Sequence, residues 1–425
     1  MTKANPSEPD AAPIRVAGPP ARPLESIEVR ITQAGDALLK GLTGVLDRVP
    51  GSDAGPQKLA GQLGVDKVLA SRLLKALRSS DPMAMVHRTP GPEPLRRVLA
   101  ASKRLGVPPE LLADAHAAVD RFEELIRTDI GDRSALEAIL SAWVPEARRE
   151  FELRRKQAAY RAMSQLKGVE AGVYAEAAIF WPTDDGVHID VVWIKAVVGL
   201  HRLRPGVPVH FTSQRRVEGA EGRRPRNLAG DPVDSIRGAV VDAFSSDPVP
   251  SLKTQIAGEA THYLLDQPGF GSGTAVNLVT CEVNRSEIPR FVPVARGRRA
   301  WAGSDINIPA RTSQFDLLIH EDLYPGEHPD LRVYDTTIRG QADVNDPTRD
   351  IDQLDLLESV NPLGLGVRRF GSSAVPQYRA LIAHVCQTLG YDGERLRGYR
   401  TVSEYPIYGS QFAMTLRTTE PPAGM

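Results

Sequence analysis

The chain has 425 residues, 41% apolar and 25% charged, a globular balance with room for two or three domains and no signature of a fibre. Fifty-two basic residues against fifty-three acidic give a net charge of -1, which excludes a polyanion-coating protein but not a basic patch on one domain. Two cysteines, Cys281 and Cys386, exclude a disulfide scaffold and a Cys-rich zinc module.

Residues 1–25 carry six prolines and no apolar run, so they read as a disordered tail rather than a secretory signal. No later stretch approaches the ~18 uncharged apolar residues that span a bilayer. The expectation is a cytoplasmic protein without membrane contact.

From Leu24 to about Lys167 the pattern is helical. Leu38, Leu39, Leu42, Val45 and Leu46 mark one face of a helix that Pro50-Gly51-Ser52-Asp53 ends. Two short helical segments follow, then the loop Arg88-Thr89-Pro90-Gly91-Pro92. Arg96–Leu105 and Pro109 to about Thr128 are further helices. Ser134 and Glu137 have capping-box spacing, opening a helix that runs, kinked at Pro145, to Lys167. The mixed charges of its last part read as a solvated face.

At Gly168 the character changes. Val173, Ala175, Ala177 and Phe180 suggest a strand, Asp184-Asp185-Gly186 a turn, and His188–Ile194 a returning strand. Val207–Phe211, Thr274–Val283, Phe315–Ile319 and Leu331–Thr336 are further strands, and Pro376–Leu389 a helix ending at Gly390. Val217–Pro232 and Arg339–Asp352 read as loops. The fold class is therefore α+β. Residues 26–92 form a helix-turn-helix domain, 93–167 a helical linker or dimerisation region, and 168–425 a mixed α+β domain.

Residues 56–77, PQKLAGQLGVDKVLASRLLKAL, carry the sharpest motif. A helix-turn-helix needs a small residue where its helices cross, a glycine at the turn and apolar residues toward the domain core. Ala60, Gly64 and the set Leu59, Leu63, Val65, Ala70, Leu73 and Leu74 fall at that spacing. The stretch resembles the winged helix-turn-helix of bacterial transcriptional regulators of the IclR-like and MarR-like families, over about residues 35–90. That resemblance implies an all-α winged domain that binds double-stranded DNA, with Lys67–Arg78 as recognition helix. Lys67, Ser71, Arg72 and Lys75 would face the major groove. Lys58, Arg78, Arg96 and Arg97 would anchor phosphates, and Met83–His87 would supply a wing strand placing Arg88 in a minor groove. From residue 56 to 104 ten basic residues face three acidic ones, as phosphate contacts require.

The C-terminal region offers weaker leads. Leu264-Leu265-Asp266 followed by a Gly-rich stretch to Gly273 looks like a methyltransferase loop for S-adenosylmethionine, yet Thr274–Val283 alternates like a strand where that loop needs a helix. His320-Glu321-Asp322 on a strand cannot converge on one metal ion, because successive side chains alternate faces. The Asp-rich run from Asp335 to Asp355 lacks calcium-loop spacing and reads as surface. Trp181 and Trp193 read as core, and Arg397 and Arg400 as a surface cluster. No catalytic residue, cofactor or metal is assigned. The expected function is a DNA-binding regulator, a homodimer through the helices of 109–167, with a C-terminal sensor or assembly domain open to a small-molecule effector. Alternatives are a winged-helix scaffold that touches no DNA and a methyltransferase-like enzyme.

Overall fold

The computed structural model describes residues 26–215, 225–257, 260–266, 269–292, 297–418 and 420. The tail expected at 1–25 and part of the Val217–Pro232 loop lie outside them. The chain divides into two units, Met1–Phe151 and Glu152–Met425. The first is helical and the second carries the sheets, so the α+β class holds at that level.

Proline placement sets much of the first unit. Helix α1 (Ile27–Leu46) is capped by Ser26, but α2 (Pro56–Leu63), α4 (Pro82–Arg88), α5 (Pro92–Arg104) and α6 (Pro109–Glu124) each begin on proline; α3 (Lys67–Leu77) does not. Proline suits the first helical position because its φ is already helical and its missing N–H would have no partner there. A π-helical turn, Leu125–Ile130, follows α6, and α7 spans Arg133–Leu140. Ile31, Leu38, Leu42 and Val45 of α1 are fully buried, in one core with Leu59, Leu73, Val98, Leu99, Val119 and Phe122. Helices α5 and α6 thus share the core of α1–α4.

Three sequence expectations change here. Met83–His87 is not a wing strand but part of α4, and no strand occurs among the described residues of this unit. Asp81 accepts from the Met83 and Ala84 amides at 3.2 and 3.1 Å, and the Arg133 guanidinium donates to the carbonyls of Val86, His87 and Thr89. Both helix ends are satisfied, which outweighs any strand preference of the four-residue apolar run Met83–Val86. The cap of α7 is Asp132, accepting from Ala135 N–H at 2.7 Å, rather than Ser134. A carboxylate also answers the helix dipole, which a hydroxyl cannot. Finally, α7 stops at Leu140 and α8 (Pro145–Lys167) begins anew, since proline disfavours helical geometry at the residue before it.

In the second unit the strands are β1 (Val169–Pro182), β2 (His188–Arg202), β3 (Val209–Arg215), β4 (Leu252–Ala257), β5 (Ala260–Leu265), β6 (Val276–Pro289), β7 (Arg299–Asp305), β8 (Ala310–His320), β9 (Asp330–Asp335), β10 (Asn361–Leu365), β11 (Leu396–Glu404) and β12 (Ser410–Arg417). Helix α9 is a single turn, Ile236–Ala239, and α10 spans Tyr378–Leu389. The main sheet has the order β10-β11-β8-β1-β2-β6, antiparallel except for the β1–β8 pair. Two three-stranded sheets, β7-β12-β9 and β3-β5-β4, complete it.

Alternation sends the two faces of the main sheet into different cores. Tyr174, Ala178, Phe180, Val197 and Leu317 pack with Phe412 and Met414 of β12 and Phe211 and Tyr263 of β3 and β5. Ala175, Ala177, Ile179, Val192, Ile194 and Leu318 pack with Tyr378, Leu381, Ile382 and Val385 of α10. The Asp-rich segment is braced: Arg349, 6% exposed, donates to the Gly340 and Gln341 carbonyls and to Asp352. After Asp266 and the glycines, a single 3-10 turn (Ser272–Thr274) leads into β6, so no helix opens on that loop.

Candidate nucleic-acid interface

Helix α2 ends at Gly64, whose φ of +65° is the left-handed conformation that lets the chain turn within three residues. Asp66 then caps α3, its carboxylate accepting from Leu69 N–H at 2.8 Å. The small residue Ala60 is buried, as are Leu59, Leu63, Ala70 and Leu73; Val65 and Leu74 are partly buried against the same core. The apolar set therefore fixes one side of α3.

The other side is cationic. Lys67, Arg72, Lys75 and Arg78 are exposed and Ser71 is half-buried; their spacing places them along one stripe. Val68 lies in that stripe, 70% exposed. Lys58 on α2 is exposed as well. Among the described residues none of these cations is in an ion pair, so their charge is directed to solvent.

The remaining predicted anchors differ. Arg96 is bound by Asp120 at 2.7 Å and Glu123 at 2.5 Å. The Arg96 hydrogen bond in turn holds the Glu123 carboxyl below its usual range. Arg88 donates to Ser79 Oγ at 2.8 Å and lies 4.0 Å from Glu146. Arg97 is exposed. The structure thus separates an unpaired group on α2 and α3 from two arginines already engaged inside the unit.

The second unit holds polar groups that the sequence reading passed over. Glu176 and Lys195, directly opposed on β1 and β2, are 2.8 Å apart, with the Lys195 ammonium 5.5 Å from the centre of the Tyr174 ring. Burial alone would lower the Lys195 pKa, but Glu176 and Tyr174 more than reverse this, keeping it charged. Burial and the Glu176 charge push the Asp305 carboxyl up to about 6, against the pull of Lys195. Asp190, 4% exposed, accepts from Ser286 N–H at 2.8 Å, Tyr391 Oη at 3.0 Å and Arg285 at 2.5 Å. Arg400, expected on the surface, is instead inside, bidentate to the fully buried Asp316. His320 ends β8 buried against Trp181, while Glu321 and Asp322 face out and pair with Arg395. Among the described residues no group of three or more His, Cys, Asp or Glu is placed to hold a metal ion.

No family model matches this chain, and no curated protein matches it. A solved structure described as a "putative protease" from Parabacteroides distasonis is similar at 9% identity and a TM-score of 0.26, covering 59% of this chain. The chain spans 40% of that protein's length, and the likeness carries no argument about fold or activity. Among the described residues no helix is long and apolar enough to cross a membrane.

Proposed function

We propose that the chain is a cytoplasmic DNA-binding regulator whose α2–turn–α3 pair acts as a helix-turn-helix, with α3 entering a major groove. One observation carries this reading: α3 is fixed by a buried apolar face while its opposite face presents Lys67, Arg72, Lys75 and Arg78 unpaired. Lys67 and Arg72 sit on the first half of α3, the part that reaches base edges in this docking geometry. Lys58 and Arg78 would hold phosphates, which fix register without carrying sequence information. Arg96 drops out as an anchor because Asp120 and Glu123 already answer its charge, and Arg88 loses its minor-groove role with the wing strand.

Pairing of two copies would place two such helices about one turn of DNA apart and supply the specificity one short helix lacks. Since Ala115, Ala118, Val119 and Phe122 are spent on the unit's own core, α6 would offer a polar face to that dimer. The second unit would then act as the sensor or assembly module.

A second reading, a protein-contact module, is favoured by Val68, an exposed apolar side chain at the start of the same stripe, and by the helix α4 where a wing strand was expected. Val68 also fits DNA, where a thymine methyl offers an apolar partner. Fluorescence anisotropy on the fragment upstream of the protein's own gene and a scrambled control, at two salt concentrations, separates the two. Salt-dependent preference for the native fragment, lost in Lys67→Ala/Arg72→Ala, supports the regulator; equal or absent binding to both supports the protein-contact module.

A further inference from the structure

The second unit contains a cavity of about 330 Å³ between the end of β6, the start of β7 and the segment joining β8 to β9. This lies within the size range of small-molecule sites. Its eleven lining residues include two arginines and no carboxylate. Phe291 and Trp301 supply aromatic wall, and Phe291 carries the Arg290 guanidinium 5.2 Å from its ring centre. Trp301 is seated over Gly303, where an added Cβ would meet its ring at 2.9 Å.

The polar groups are built in different ways. Arg299 is locked: its N–H donates to Asn345 Oδ1 at 2.6 Å, its carbonyl accepts from Asn345 Nδ2 at 3.1 Å, and its guanidinium pairs with Asp330 at 3.1 Å. Arg298 is held only by its backbone, its carbonyl accepting from Thr418 Oγ1 at 3.1 Å. Its exposed guanidinium has no partner among the described residues.

Tyr324 is unusual on two counts. Its φ of +48° is a conformation that bulky residues rarely adopt, here stabilised by Arg397 and Glu327 N–H donating to its carbonyl at 3.0 and 3.1 Å. Its side chain is buried, yet its hydroxyl has no hydrogen-bond partner among the described residues. Strained backbone conformations of this kind cluster at active sites and ligand clamps.

We propose that this cavity binds a small aryl monocarboxylate, with the ring against Phe291 and Trp301, the carboxylate on Arg298 and the Tyr324 hydroxyl as a further donor. Among the described residues Arg298 is the one cation of the lining without a partner, and Arg290, over the Phe291 ring, already donates to the Gly186 and Asp322 carbonyls, so the site matches a single negative charge on an apolar body. The site belongs to the second unit alone and does not depend on DNA binding.

The test is calorimetry on the full chain with benzoate, phenylacetate and indole-3-acetate, and with benzamide as the uncharged counterpart of benzoate. At least one acid binds with Kd of about 1 mM or tighter, and benzamide binds about tenfold more weakly than benzoate. Arg298→Gln, a change at an exposed unpaired side chain that leaves folding intact, weakens the acid by about tenfold. Arg368→Gln, on a surface arginine whose side chain is 86% exposed, does not. The proposal is overturned if no acid binds, if benzamide equals benzoate, if Arg298→Gln binds as the wild type, or if both arginine variants weaken binding alike.

Discussion

Arg400 and Asp316 lie directly opposite on β11 and β8 and form a two-point pair, Nε to Oδ1 at 2.8 Å and the terminal nitrogen to Oδ2 at 2.7 Å. Tyr378 of α10 adds its hydroxyl to Oδ2 at 2.7 Å, so one carboxylate ties the helix to the sheet. Truncating one partner of such a pair strands the other charge in the interior. Asp316→Ala is expected to destabilise the second unit by about 3–5 kcal/mol. Removing both charges with apolar residues of similar size, Asp316→Leu with Arg400→Met, is expected to cost less than either truncation, because no ion is left unpaired. Urea unfolding followed by near-ultraviolet circular dichroism reads both; a single truncation within about 1 kcal/mol of wild type would mean that water reaches the pair.

Asp305 gives a pH dependence of definite sign. Its carboxyl is raised from 3.8 to about 6 by burial and by Glu176, with Lys195 opposing. The folded chain therefore binds more protons than the unfolded chain between those values, and this group's contribution to stability falls as pH rises from about 4 to 6. Above that window the ionised carboxylate is a constant burden of roughly 1–3 kcal/mol. Asp305→Asn removes it. The variant should be more stable than wild type at pH 7.5 and close to it at pH 4, in paired urea titrations. Equal stability at pH 7.5 would show that the carboxylate ionises without penalty.

These two sites also show how far the residues speak for themselves. The helices of the first unit and the β1–β2 hairpin are legible because their apolar periods of 3.6 and 2 are local properties. The α2–α3 turn is legible because Gly64 does its conformational task on the spot, whereas the Asp66 cap emerges only from the structure. The Asp316–Arg400 pair is not, since 84 residues separate partners that meet only through strand order. A signal did exist: Glu176 and Lys195 are charges with an apolar residue on either side in their strands, and Asp316 sits in the run Phe315–Ile319. A charge there requires a partner, although nothing local names which one. The loss of the expected wing strand has the same origin, because Arg133, which secures the end of α4, lies 44 to 47 residues downstream of the carbonyls it binds.

Close packing of α1 reverses an ordinary helix rule. Gly35 lies inside α1, where alanine normally gains about 1 kcal/mol over glycine. A Cβ at this position would meet the Pro82 carbonyl oxygen at 2.4 Å, and that atom is backbone and cannot rotate away. Gly35→Ala is therefore expected to destabilise the first unit by about 1–3 kcal/mol, as overpacked sites do. A stabilised variant in thermal unfolding would show that α1 and the start of α4 separate at little cost.

The split among the predicted DNA contacts yields the most discriminating mutational series. Arg72 is exposed and unpaired, so Arg72→Ala should weaken binding to a cognate fragment by about 1–3 kcal/mol and relax preference at one base pair. Lys58→Ala should weaken all sequences alike and reduce the slope of log affinity against log salt by about 1. Arg96, held by Asp120 and Glu123, has little charge left to offer, and Arg96→Ala should change affinity by no more than about 0.5 kcal/mol. Anisotropy titrations at several salt concentrations measure all three. If Arg96→Ala weakens binding as much as Arg72→Ala, DNA must draw Arg96 away from its carboxylates, and the interface extends beyond the face of α3.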